Sequence, residues 1–241
     1  MNISKSSFLL VKVCSKMAAR INAMVTDGRP ANQIYAQILD QINQASRSQR
    51  ENYMSAAVAS YLQVLALPAG QRLEFIEQGL GWIQRALRME QDFDGILLKI
   101  KLLGFKIKAS NDNLKRGRLA LQIYKLLAVL EVNNNNNPEV LFIRGVLLYY
   151  GSQLTTAQKL LARTFSKDAR DALRDATLGN ALAMFRRCRL GTLENNFYLF
   201  CCYKKMKENV QARNYYNLVM GHNSTNEYER ELQQKARQMR N

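Results

Sequence analysis

Along almost the whole chain, apolar residues return every three or four positions, the spacing that lines one side of an α-helix. Short polar or Gly/Pro clusters interrupt this pattern at about 27–30, 44–50, 68–70, 90–95, 110–113, 133–138, 151–154, 166–168, 191–196, 207–209 and 221–226. The pattern predicts about twelve helices of roughly eleven to twenty residues. The clearest stop is the run of five asparagines at 133–137 before Pro138. Asparagine side chains compete for backbone hydrogen bonds, and the residue before proline avoids helical geometry. Pro138 then fits the first turn of the next helix, where a missing N–H costs nothing. Residues 98–102 and 105–108 alternate apolar and basic, a strand signature. No second strand is at hand to pair with them, so the expectation there is helix.

Helices joined by short turns pack as antiparallel pairs, and here the pairs repeat weakly. In residues 138–168, a helix with Leu141, Gly145 and Leu148 (LFIRGVLLYY) precedes one with Ala157, Leu161 and Thr164. A small residue in each helix permits close approach, and bulky residues fill the groove between them. This spacing resembles the tetratricopeptide repeat (TPR), and the unit is locally similar to the TPR block of DnaJ-type co-chaperones. No His-Pro-Asp triplet, and so no J domain, is present in the chain. Residues 197–220, with Tyr203, Ala212, Tyr216 and Val219, fit the same frame. Gly79, Ile83 and Ala86 look like the second helix of a unit, and Gly104 with Ala120, Tyr124 and Leu127 like another carrying an insertion. Residues 169–190 add a helix that breaks the period. The expected fold is all-α, a TPR-like α-solenoid of antiparallel helix pairs with degenerate repeats. Its divisions are residues 1–26, a first helix or a targeting segment; 27–220, the helical repeats; and 221–241, a basic C-terminal helix.

The resemblance implies a concave groove, lined by the first helix of each pair, that binds a peptide or a partner helix. Its groove positions fall on Lys101, Phe105 and Lys108, on Phe142, Tyr149 and Tyr150, and on Phe197, Tyr198, Lys204 and Lys205. Ammonium groups attract carboxylates and the rings offer rigid area for burial, so the ligand expected is an acidic protein or peptide with an apolar anchor. The alternative for each aromatic is plain packing between helices. The Asn and Lys pattern that clamps a chain-terminal carboxylate in some repeats has no match here.

Charge sharpens this picture. Thirty-five Lys and Arg against nineteen Asp and Glu leave a net charge of +16. Residues 95–125 hold eight of the cations against Asp112 alone, and Arg186, Arg187 and Arg189 form a second group. These faces suit acidic protein, but also RNA phosphate through Lys99, Lys106, Lys115, Arg116, Arg118, Arg186, Arg187 and Arg189. An RNA-associated helical-repeat protein is therefore the alternative function. Enzymatic chemistry is not expected: His222 is the single histidine and sits in a polar turn, and no phosphate-cradling GxxxxGK[ST] loop occurs. Neither a cofactor nor a metal is expected, because Cys14, Cys188, Cys201 and Cys202 lack C-x-x-C spacing and read as buried free thiols. No apolar run is long enough to span a bilayer. The function expected is a non-enzymatic scaffold or adaptor, co-chaperone-like in part, working within a complex in the cytoplasm. Lys5, Lys12, Lys16 and Arg20, with no acid before Asp27, leave the mitochondrial matrix as the alternative location.

Overall fold

The computed structural model describes residues 29–44 and 49–240, so the expectations for residues 1–26 and for Cys14 lie outside the described residues. Twelve α-helices occur among them: α1 Ala31–Gln44, α2 Gln49–Ala66, α3 Leu73–Met89, α4 Phe93–Ala109, α5 Asn113–Asn134, α6 Pro138–Ser152, α7 Thr156–Phe165, α8 Lys167–Arg174, α9 Leu178–Cys188, α10 Leu193–Lys205, α11 Asn209–Met220 and α12 Glu227–Arg240. Among the described residues there are no strands. The fold is all-α, with consecutive helices such as α2 and α3 or α10 and α11 packed as antiparallel pairs, consistent with a TPR-like solenoid. The chain divides into two compact units, Met1–Leu119 with Asn223–Arg230, and Ala120–His222 with Glu231–Asn241.

In the first unit α2 is the central helix. It is rich in small side chains, and Ala56, Ala57, Ala59, Ser60 and Val64 are buried on its several sides as α1, α3 and α4 pack round it. Close packing of this kind needs small residues on facing helices. Gly79 of α3 meets that need, because a β-carbon there would stand 3.1 Å from both Ser60 and Leu102. Ile83 and Ala86 of the same helix are fully buried, as the repeat pattern predicts. The alternating stretch at 98–108 is helical. Asp92 starts α4 by accepting the Gly95 N–H at 2.7 Å, and a wide face holding Leu98, Ile100, Leu102, Leu103 and Phe105 goes into the core. A helix satisfies its backbone within itself, whereas a lone strand would leave every N–H unmatched.

The second unit is built on α6, α9 and α10. Asn137 caps α6 by accepting from the Glu139 N–H at 2.9 Å, with Pro138 in the first turn. The packing then departs from the expected hairpin of residues 138–168. Helix α6 packs principally on α9, and α7 lies against α8. The reason is at Gly145: a β-carbon there would come within 2.7 Å of the Phe185 ring, so the glycine admits α9, and Ala157 of α7 stays exposed. Residues 169–190, expected as one helix, are two, because Thr177 caps α9 by accepting the Asn180 N–H at 3.1 Å. Gly104, too, is not a close-packing residue, since nothing lies within 4 Å of where its β-carbon would be. Residues 197–220 behave as expected: α10 and α11 form a packed pair, with Ala212 and Val219 buried and the Tyr203 and Tyr215 rings stacked at 5.5 Å.

Candidate functional site

In the first unit the end of α4, the turn after it and the start of α5 carry a dense group of cations. Lys99, Lys101 and Lys106 are half-buried, whereas Lys108, Lys115, Arg116 and Arg118 are exposed. The one acid within this stretch of sequence, Asp112, is engaged by backbone: it accepts from Leu114 N–H at 2.8 Å and Lys115 N–H at 3.2 Å, which starts α5. Lys106 pairs with Glu77 at 2.8 Å. Lys108 donates to the Tyr228 hydroxyl at 2.6 Å and stands over the Phe105 and Tyr228 rings, 5.0 and 4.5 Å from their centroids. Arg116 reaches back to the Ile107 carbonyl at 3.3 Å. Among the described residues, Lys115, Arg116 and Arg118 have no carboxylate within ion-pair distance. Leu114 stands among them with 63% of its surface exposed, an apolar contact that sequence reasoning missed. Its only signal is an apolar residue in the first turn of a basic helix.

The expected groove residues of this unit separate accordingly. Phe105 is buried, packed edge-on to Tyr61 and Tyr228. Lys101 is near Asp94, whose carboxyl is pushed upward chiefly by burial and further by the neighbouring Asp92, with Lys101 opposing both.

In the second unit Phe142, Tyr149, Phe197 and Tyr198 are buried and form one aromatic cluster with Phe185. Tyr198 stacks on Phe185 at 5.2 Å, and burial raises its hydroxyl far above the usual tyrosine range. In these positions the rings hold helices together, the alternative weighed for them in the sequence. Tyr150 differs: 51% of its surface is exposed, and its hydroxyl lies 3.3 Å from that of Tyr198. Lys204 is half-buried and Lys205 exposed at the end of α10. Arg186, Arg187 and Arg189 are exposed at the end of α9, where Arg187 donates to Asn136 at 3.1 Å. Arg189 has a left-handed backbone, φ 48°, that closes the helix.

The three described cysteines are buried free thiols. Burial pushes the thiols of Cys201 and Cys202 up to about 12, and raises that of Cys188, so none is poised as a nucleophile. His222 lies in the turn between α11 and α12, its carbonyl accepting from Gln233 at 2.8 Å. No helix among the described residues is long and apolar enough to cross a membrane.

What the two units offer is therefore surface chemistry: exposed cations beside isolated apolar side chains, carried on packed helices. Comparison with individual curated proteins gives no match. A family model described as Regulator of microtubule dynamics protein 1-3 matches residues 17–241, nearly the whole chain, and the chain belongs to that family.

Proposed function

We infer that the chain is a non-catalytic regulator of microtubule dynamics that binds its protein partner through basic helix faces. The family match over residues 17–241 is the observation that carries this reading. The cations at the α4–α5 turn support it, with Lys115, Arg116 and Arg118 as the binding charges and Leu114 as the apolar contact. A positive patch meeting an acidic polymer surface accelerates encounter and fixes orientation, while a small exposed apolar residue adds area at the centre of the contact. Tyr150 and Lys205 remain as the exposed members of the groove expected in the second unit, with Lys204 half-buried beside them. The co-chaperone likeness is not carried forward, since it rested on a 138–168 hairpin whose two helices pack elsewhere.

The test is co-sedimentation of the full chain with stabilised microtubules at rising salt, with and without ribonuclease. The expected result is pelleting at low salt that falls as salt rises, is unaffected by ribonuclease, and is lost in a Lys115→Glu/Arg116→Glu/Arg118→Glu variant. Retention of that variant on the polymer at wild-type levels removes the patch. A wild-type chain that stays in the supernatant at low salt removes the reading itself. Pelleting abolished by ribonuclease returns these cations to RNA phosphate.

A further inference from the structure

The second unit contains a cleft of about 430 Å³ lined by Ser152, Gln153, Lys159, Ala176, Thr177, Leu178 and Lys205. Four elements converge on it: the end of α6, the middle of α7, the turn into α9 and the last residue of α10. No acid lines it, and two lysines do. Among the described residues neither Lys159 nor Lys205 has a carboxylate within ion-pair distance. Such a pair raises the local positive potential. The remaining polar lining comes from Ser152, Gln153 and Thr177. The Ser152 hydroxyl donates to the Tyr149 carbonyl and accepts from Gln153, while Thr177 uses its oxygen as a cap acceptor and keeps its own O–H to give.

We propose that this cleft is a carboxylate-binding site for an acidic segment of a protein partner, with Lys159 and Lys205 as the charge pair and Thr177 as a hydroxyl donor. Its volume exceeds that of a single small anion several-fold and opens to solvent, so it takes a carboxylate together with its neighbouring chain. Sequence reading assigned Lys205 to a groove but did not find its companions. Lys159 is 46 positions away on a different helix, and the two meet only as lining of the same cleft. The proposal stands apart from the microtubule reading, whose binding charges Lys115, Arg116 and Arg118 lie in the other unit.

The experiment is fluorescence anisotropy of a labelled hexaglutamate peptide titrated with the full chain, once with a free C-terminus and once amidated. A Lys159→Glu/Lys205→Glu variant is expected to bind about tenfold more weakly. A Lys235→Glu/Arg237→Glu variant, which changes net charge by the same amount at two exposed positions of α12, is expected to keep wild-type affinity. Lys159→Met/Lys205→Met, with no reversed charge to disturb folding, should lose affinity in the same direction. Preference for the free C-terminus identifies a chain end as the source of the carboxylate, and equal binding identifies acidic side chains; both support the site. Equal weakening by the two charge-reversal pairs, or undiminished binding by the methionine variant, overturns it.

Discussion

Gly145 and Gly104 both sit inside helices and look alike in the repeat pattern, yet their surroundings give opposite expectations. A β-carbon at Gly145 would stand 2.7 Å from the ring of Phe185, which has no exposed surface and so no room to yield. Gly145→Ala should lower stability by about 1–3 kcal/mol, the overpacking cost outweighing the helix-propensity gain of about 1 kcal/mol. Gly104→Ala meets nothing within 4 Å and should raise stability by up to about 1 kcal/mol. Urea midpoints of the two variants check this pair, and an unchanged midpoint for Gly145→Ala would remove the close approach of α6 and α9. The thiols give a second expectation at this scale. Cys201 and Cys202 ionise near 9 in the unfolded chain and at about 12 in the fold, so the folded state holds protons that the unfolded state releases. Their stability contribution is whole below pH 9 and is lost as pH rises toward 12. Unfolding free energy measured from about pH 8 to about pH 10.5 should fall, and alkylation of both thiols should need denaturant. Of the sequence expectations, the buried thiols and the turn at His222 were legible, because burial of Cys and turn placement of Gly-His-Asn-Ser are local preferences. The burial of five of the six groove aromatics was not, because helical spacing is the same for a ring that packs and a ring that faces a partner.

At the scale of elements, the breaks between helices were legible almost throughout. Asp92, Asn137, Thr155, Ser166, Thr177 and Thr192 each accept a backbone N–H at a helix start, and the polar clusters in the sequence contain Asp92, Asn137, Ser166 and Thr192 and stop one residue short of Thr155. The break missed was the one at Thr177, where Ala176 is buried and the cluster is too short to interrupt the apolar pattern. Pairing was less legible than existence, since capping acts within a few residues and packing does not. Helix α5 shows the difference. Its residues 113–118 are all exposed, and only Ile123, Leu127 and Leu130 are buried. Helix α10, by contrast, buries Leu193, Asn195 and every residue from Phe197 to Tyr203. Amide hydrogen exchange should therefore be fast over the first two turns of α5 and slowest in α10. Equal protection of the two segments would mean that α5 has a packing partner the described residues do not show.

For the molecule as a whole, the quantity that matters is where the net charge of +16 is left unopposed. In the first unit it lies at the α4–α5 turn, and in the second at the end of α9 and around Lys159 and Lys205. Exposed charges are screened over about 10 Å at 0.1 M salt, so microtubule pelleting should weaken steeply with ionic strength, while an aromatic or apolar contact alone would hardly respond. A flat salt profile would point to Leu114-type contacts in place of the cations. The sequence by itself determined the all-α class, nearly all the helix limits and the excess of basic residues, because periodicity, capping and composition are written in neighbouring residues. Only the tertiary structure decided which helices pair, which aromatics are core, and which lysines line one cleft. Those outcomes turn on distant contacts such as Gly145 with Phe185, whose energy depends on shape complementarity between segments forty residues apart, and no local pattern carries that information.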